Sequence, residues 1–162
     1  MTLVALISPD NYPVLVGDLL ISGNLPPREV SLPGPGVLTA DTTITPSGTI
    51  MGLSQKLTLL SPNLAIGWAG SKLCARILLK ELRAHFGERT LTSTELFEFI
   101  DRLDFPEKVE VSLIGLCLDG AQIHRFHNMA EVIHHPNAGR MFLVGSGIQD
   151  FQAHLSSFNL PA

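Results

Sequence analysis

Strand-like segments occur in adjacent pairs along this chain, and that grouping constrains the fold more than any other feature. Short apolar runs joined by turn residues lie at 2–16, 56–68 and 109–126, and a further apolar run spans 140–144. Strands joined by short turns pair antiparallel, whereas parallel strands need long crossover connections. Two helix-like segments separate the second pair from the third. The sequence therefore predicts an α+β protein with antiparallel sheets and helices packed outside them.

Terminal signals mark the two helices between the second and third strand pairs. Residues 71–86 carry apolar side chains at helical spacing, and Gly87 follows in the position that ends many helices. The next helix begins at Thr92 or Ser93, because Glu95 supplies the acidic partner that a helix N-terminus favours. A third helix is predicted over 150–158.

Residues 23–52 differ in composition from the rest of the chain. Five prolines, together with Gly34, Gly36 and Gly48, leave little room for regular structure. We predict a long loop here, with a short hairpin around Pro46-Ser47-Gly48. Loops of this length in a compact domain are often functional or contact a partner.

Composition and charge limit the class of protein. A length of 162 residues fits one domain over 1–162, and a net charge of −4 with scattered Lys and Arg gives no basic surface for nucleic acid. The apolar runs are far shorter than the roughly 20 residues of a membrane-spanning helix, and the N-terminus lacks the basic start of a signal peptide. Cys74 and Cys117 read as buried thiols of a reducing compartment. We therefore expect a cytoplasmic protein with no membrane or nucleic-acid partner.

The second residue carries the strongest chemical signal. Removal of Met1 would leave Thr2 with a free α-amine beside its own hydroxyl. Such an amine has a reference pKa of about 8, so it can act as general base for that hydroxyl near neutral pH. The alternative is that Thr2 is an ordinary β-branched strand residue, and its position alone favours that alternative.

Further motifs follow Thr2 in a consistent order. Asp18 lies sixteen residues after Thr2, at the end of the apolar segment Val14-Leu15-Val16-Gly17. Lys56 opens a short apolar strand, and Ala69-Gly70 ends the next strand before a helix. Gly145-Ser146-Gly147 follows a late apolar strand. This order and spacing resemble those of the proteasome β-type subunits and their bacterial relatives, the N-terminal-nucleophile (Ntn) threonine peptidases.

The resemblance covers most of the chain and implies a fold. Ntn hydrolases are αββα sandwiches, with antiparallel sheets between helical layers. Because this sequence stops inside its third predicted helix, the sandwich is expected to lack its C-terminal strands and helices. The proline-rich insertion at 23–52 is expected to lie near the substrate groove and neighbouring subunits.

The resemblance also implies a catalytic set. The hydroxyl of Thr2 would attack a carbonyl carbon, while the charge of Lys56 lowers the effective pKa of that hydroxyl. Asp18 would pair with Lys56 and hold it charged. The N–H of Gly70 would stabilise the oxyanion, and Ser146 would bond near the α-amine.

Partners and cofactors are likewise implied by the resemblance. The expected substrate is a polypeptide, and the expected assembly is a homo-oligomer such as a ring; an ATPase partner is compatible with it, although the sequence itself does not show one. No cofactor or metal is expected. His124 and His127 form an H-x-x-H pair, but on a strand these positions point to opposite faces.

Two other functions remain open at this point. A non-catalytic structural subunit would keep the fold and interfaces, and it is favoured by Met1 standing before Thr2 and by the missing C-terminal support. An Ntn amidase acting on a small acyl compound is the other. Those amidases more often begin with Cys or Ser, so Thr2 together with Lys56 argues against this alternative.

Overall fold

The computed structural model describes residues 2–8, 12–23, 26–27, 29–31, 37–38, 44–45, 48–102, 110–136 and 139–157. This part of the chain is a mixed α+β structure with three helices, and its strands pair antiparallel. The α+β class predicted from the paired strands is confirmed.

Two four-stranded sheets form the centre of the structure. Sheet A contains, in spatial order, β12 (Glu131–His135), β13 (Gly139–Val144), β1 (Val4–Ile7) and β2 (Val14–Gly17). Sheet B contains β11 (Gln122–His127), β10 (Val111–Asp119), β9 (Leu64–Gly70) and β8 (Leu57–Ser61). In sheet A, β1 pairs with β13 from the other end of the sequence. That pairing brings the start of the chain beside the turn that follows β13.

An apolar layer joins the two sheets face to face. Val4 and Leu6 of β1 pack in one buried cluster with Ile114 of β10. Gly67 permits the close approach, because a Cβ at this position would lie 2.5 Å from Val4 Cγ1 and 2.9 Å from Leu57 Cδ2. The start of β1 and the start of β8 therefore lie near the same sheet-to-sheet contact.

Helices α1 (Lys72–Phe86) and α2 (Ser93–Arg102) cover the outer face of sheet B. α1 begins after Ser71, whose Oγ accepts a hydrogen bond from the Cys74 N–H. It ends at Gly87, which has a φ of 59° and donates to the Arg83 carbonyl. Both ends agree with the sequence prediction. The buried cluster beneath the helices includes Trp68, a strand residue of the core.

Helix α3 (Ile148–Ser157) covers the outer face of sheet A. Its Ile148, Phe151 and Leu155 pack against Ala5 and the β13 side chains beside it. Across the described residues the layers therefore run from α1 and α2, through sheet B and sheet A, to α3.

The proline-rich insertion contains more regular structure than predicted. Its described residues include β4 (Val30–Ser31), β5 (Val37–Leu38), β6 (Ile44–Thr45) and β7 (Gly48–Leu53), and β3 (Leu20–Gly23) immediately precedes it. Strand β7 pairs with β3 on one side and β6 on the other. The short hairpin expected around residue 46 is confirmed, since Thr45 pairs with Gly48. The apolar residues Ile50, Met51 and Leu53 give only a weak strand signal, which the proline and glycine content of the segment outweighs.

Other differences concern element ends and one missed strand. β12 was not predicted, because its residues are mostly exposed and polar and it is stabilised by pairing with β13. α3 begins at Ile148, two residues before the predicted start. Met1, the turn at 9–11 and much of the insertion lie outside the described residues.

Two further expectations can be compared with the described chain. Cys74 and Cys117 are both buried, and neither forms a disulfide. Among the described helices, none has the length and apolar character needed to cross a membrane.

Candidate active site

The ends of several strands meet at one end of the two sheets. Thr2 lies just before β1, and the register pairs Val4 with both Gly17 and Val144, so the residues after β2 and β13 lie beside Thr2. Lys56 lies just before β8, opposite Trp68 near the end of β9. Antiparallel pairing thus brings together the chain ends that carry the predicted site residues.

The Lys56 side chain is buried and bonded on all sides. Its Nζ donates to Thr2 Oγ1 at 2.9 Å, to Asp18 Oδ1 at 2.6 Å and to the carbonyl of Leu20. An ammonium group has three protons and accepts none, so these three acceptors satisfy it completely. The side chain of Lys56 is 0% exposed, whereas that of Asp18 is 25% exposed. Lys56 is therefore held at one position relative to the Thr2 hydroxyl.

Asp18 fixes Lys56 to the start of β1. Its Oδ1 accepts from Lys56 and from the Leu20 N–H at 3.1 Å, while its Oδ2 accepts from the Leu3 N–H at 2.5 Å. The Asp18 N–H in turn donates to the Leu3 carbonyl at 3.0 Å. One carboxylate thus connects the lysine to the backbone next to Thr2.

The turn after β13 holds the backbone of Thr2. The Thr2 N–H donates to Ser146 Oγ at 3.1 Å, and the Gly147 N–H donates to the Thr2 carbonyl at 2.9 Å. Gly145 is needed for this approach, because its φ is 113° and a Cβ there would lie 2.1 Å from the Thr2 carbonyl oxygen. The nitrogen of Thr2 and its hydroxyl are therefore positioned by opposite sides of the site.

Gly70 ends β9 in a conformation that disfavours a side chain. Its φ is 105°, and a Cβ would lie 2.1 Å from the Glu110 carbonyl oxygen. The Trp68 N–H donates to the Lys56 carbonyl on the β8 side, and the Ser71 N–H donates to Glu110 on the β10 side, each at 3.0 Å. Successive N–H groups along a strand point in opposite directions. The Gly70 N–H therefore points to the same side of β9 as the Trp68 N–H, towards the part of the chain around Lys56 that precedes β8.

Burial dominates the electrostatics of Lys56. Desolvation lowers the pKa of its ammonium group below the ordinary value of 10.5, while the hydrogen bond and the charge of Asp18 oppose that change. The lowered pKa makes the neutral amine easier to reach than in an exposed lysine. In its charged form, Lys56 favours ionisation of the Thr2 hydroxyl that it contacts.

The structure brings four of the five predicted residues into one hydrogen-bonded network: Thr2, Asp18, Lys56 and Ser146. Gly70 lies at the adjacent strand end. Two contributors to the contacts around Thr2 and Lys56 were not predicted, the Leu20 carbonyl and Gly145. The first is a backbone atom with no side-chain signal, and the second was visible only as part of the Gly-Ser-Gly motif.

Two other features of the described residues bear on where a site lies. Within the described residues, no group of three or more His, Cys, Asp or Glu side chains is placed to hold a metal ion. A cavity of about 460 Å³ between α2 and β11 is lined by residues such as Phe97 and Phe126, and the predicted site residues are not among those that line it. The network around Thr2 is therefore the candidate active site.

No protein-family model matches the chain, and no curated protein matches it either.

Proposed function

We propose that this chain is a proteasome-like threonine-type peptidase subunit, in which removal of Met1 exposes Thr2 as an N-terminal nucleophile. One observation carries the proposal. A buried lysine donates to the hydroxyl of Thr2 at 2.9 Å and to the Asp18 carboxylate at 2.6 Å. Packing alone would not require a buried lysine to donate a hydrogen bond to the hydroxyl of the second residue.

The layer order supports the same family. Helices, two antiparallel sheets and a further helix follow one another in the described residues, as expected for an Ntn αββα sandwich. In that fold the nucleophile lies at the start of a central strand. Thr2 has that position before β1, which lies between β13 and β2.

The first chemical step forms an ester. The Thr2 α-amine takes the hydroxyl proton through a water molecule, and Oγ1 bonds to the substrate carbonyl carbon. The positive charge of Lys56 stabilises the oxygen anion as its proton leaves. The Gly70 N–H, on the same side as Lys56, donates to the oxyanion of the tetrahedral intermediate. The carbon–nitrogen bond then breaks, and the leaving amine departs with the proton held by the α-amine.

Hydrolysis of the ester completes the cycle. A water molecule gives a proton to the α-amine and adds to the acyl carbon, and Oγ1 leaves and recovers its proton. Ser146 Oγ, at 3.1 Å from the Thr2 nitrogen, orients the amine in both steps. Asp18 keeps the Lys56 ammonium directed at Oγ1.

Two electrophilic probes test the proposal at different atoms. A peptide β-lactone needs only the hydroxyl, whereas a peptide epoxyketone has two electrophilic carbons and is held by hydroxyl and free amine together. The protein is prepared in a host with methionine aminopeptidase, its intact mass is measured, and each probe is added. We expect loss of one methionine and labelling of Thr2 by both probes.

Matched variants separate chemistry from fold. Thr2→Ala and Lys56→Met are expected to abolish labelling, and Thr2→Ser is expected to retain it. Thr58→Ala on β8 and Lys80→Met on the exposed side of α1 serve as controls and should label as the parent does. Labelling that survives Thr2→Ala would exclude the proposal.

The remaining outcomes distinguish the two alternatives. A folded oligomer with Met1 removed and no labelling identifies a non-catalytic structural subunit. Thr2-dependent turnover of small acyl amides, with no cleavage of peptides, identifies a small-substrate Ntn amidase. Cleavage of unstructured polypeptides that depends on Thr2 supports the peptidase. A cytoplasmic location, a ring-like homo-oligomer and an ATPase partner belong to this proposal.

A further inference from the structure

Four residues form a reciprocal contact between the two sheets. Leu57 of sheet B lies against Gly17 of sheet A, where a Cβ would be 3.1 Å from both Cγ and Cδ2 of Leu57. Val4 of sheet A lies against Gly67 of sheet B, where a Cβ would be 2.5 Å from Val4 Cγ1. The register pairs Val4 with Gly17 and Leu57 with Gly67. The large residue of each sheet therefore occupies the space beside the glycine of the other sheet.

One half of this contact lies directly beside the candidate active site. Asp18 follows Gly17 in the chain, and Lys56 precedes Leu57. The side chains of Lys56 and Leu57 both extend towards the end of β2. That of Leu57 contacts Gly17, while that of Lys56 bonds Asp18 at 2.6 Å and Thr2 at 2.9 Å. An apolar contact and an ion pair therefore span the same gap between the sheets, one residue apart.

The lysine has little room to adjust to a changed gap. Its side chain is 0% exposed, and its Nζ uses three protons on Thr2 Oγ1, Asp18 Oδ1 and the Leu20 carbonyl. Protein interiors are packed as densely as organic crystals, so an enclosed side chain cannot freely follow a displaced backbone. A shift of β8 relative to β2 would therefore appear in the distance between Lys56 Nζ and Thr2 Oγ1.

We propose that Leu57 is a positioning residue of the candidate active site. Packed against Gly17, its side chain sets the separation at which the Lys56 ammonium group meets the Thr2 hydroxyl. Leu57 acts through Lys56 and takes no part in the chemistry itself. The inference deepens the proposed function and rests on it, because this separation matters for catalysis only if Thr2 is the nucleophile.

An exchange of side-chain size tests this role. Leu57→Ala removes the atoms that lie against Gly17, and Gly17→Ala adds a methyl group at 3.1 Å from those atoms. The φ of Gly17 lies outside the left-handed region, so an alanine there is not strained by its backbone. We expect both single variants to react with the peptide β-lactone more slowly than the parent, Leu57→Ala by about tenfold, because small misplacements of a catalytic group lower rates steeply. The double variant should react faster than either, since the added methyl group replaces part of the lost volume.

A matched control and the kinetics of labelling separate positioning from general damage. Leu59→Ala removes the same side chain from the same strand, but Leu59 is 66% exposed, so this variant should react as the parent does. In Leu57→Ala the maximal labelling rate should fall while the probe concentration for half-maximal rate stays unchanged, because Lys56 acts on Thr2 Oγ1. Single variants that react at the parent rate, or a double variant slowed by the product of the two single effects, overturn the proposal.

Crystal structures of the parent and Leu57→Ala distinguish this inference from the proposed function. The distance between Lys56 Nζ and Thr2 Oγ1 is 2.9 Å, and in Leu57→Ala it should leave the hydrogen-bond range of about 2.7–3.2 Å. Leu57→Val takes its place if the alanine variant does not fold. A parent that neither probe labels contradicts the proposed function, and this distance still decides whether Leu57 sets the separation. An unchanged distance overturns the inference even where labelling is slower.

Discussion

Lys56 Nζ lies 2.9 Å from Thr2 Oγ1, although Lys56 introduces the edge strand of sheet B and Thr2 introduces a central strand of sheet A. The contact therefore crosses the interface between the two sheets. It depends on the close approach of the sheets at Gly67 and Gly17, where a Cβ would lie within about 3 Å of the Leu57 side chain. A change in the packing of the two sheets here would therefore also change the distance between Lys56 and Thr2.

Replacing Lys56 should lower the stability of the protein as well as abolish probe labelling at Thr2. Lys56→Met leaves the Asp18 carboxylate without its cation, and breaking a buried ion pair by removing one partner costs several kcal/mol. Because Asp18 is partly exposed, we expect a loss of about 3 kcal/mol, at the lower end of that range. Urea unfolding measures it, with Lys80→Met as a control expected to change stability by less than about 0.5 kcal/mol. If Lys56→Met and Lys80→Met were equally stable, the ion pair between Lys56 and Asp18 would not contribute to stability as expected.

The lowered pKa of Lys56 predicts a pH dependence with a definite sign. Between that lowered pKa and 10.5, the unfolded chain binds the proton and the folded chain does not, so the free energy of unfolding rises with pH. Below the lowered pKa both states are protonated and the contribution is constant. Between pH 7 and pH 10.5 the free energy of unfolding should rise more steeply with pH in the parent protein than in Lys56→Met. A difference that falls with rising pH would indicate a raised pKa instead.

Gly145 should tolerate no side chain. Gly145→Ala places a Cβ at 2.1 Å from the Thr2 carbonyl oxygen, so the turn that carries Ser146 must move. We expect a loss of stability well above the roughly 1–2 kcal/mol that a positive φ alone costs an alanine, together with loss of probe labelling. Gly120→Ala is the control, since its φ is also positive, at 59°, and nothing lies within 4 Å of the added Cβ. Similar thermal unfolding of both variants would show that the contact with Thr2 is unimportant.

The pKa of Glu95 should lie far below the ordinary value of a glutamate. The Thr92 N–H and the Arg89 guanidinium lower its pKa from 4.5 to about 2. Its contribution to stability is present above pH 4.5 and is lost as pH falls from about 4.5 to about 2. Carboxyl chemical shifts measured by NMR across this range give the titration directly. Glu95→Gln should remove the corresponding part of the acid destabilisation, whereas Glu98→Gln on the same helix should leave it in place.

Local rules predicted much of the fold. Ser71 and Gly87 bound α1 as expected, and Thr92 and Glu95 form a reciprocal cap at the start of α2. The turn at Gly120 joins β10 to β11 in the predicted hairpin. Each of these features is decided by residues within a few positions of one another, so a single sequence contains the information.

Long-range contacts explain what was missed. β12 is mostly exposed, and it becomes a strand because β13 offers a partner edge, which its own residues do not indicate. β7 forms because β3 lies beside it, despite the glycines and prolines around it. Only the resemblance relates Thr2 to Ser146, 144 positions away, since neither periodicity nor composition connects the two residues.

The pairing of β1 with β13 has a consequence for synthesis of the protein. The Thr2 nitrogen and carbonyl bond Ser146 and Gly147, and Ser146 lies 144 positions later in the sequence, so these partners are synthesised long after Thr2 itself. Until then the backbone of Thr2 lacks the hydrogen bonds that hold it beside the turn after β13. The network around Thr2 is therefore completed only late in synthesis, when β13 closes sheet A against β1.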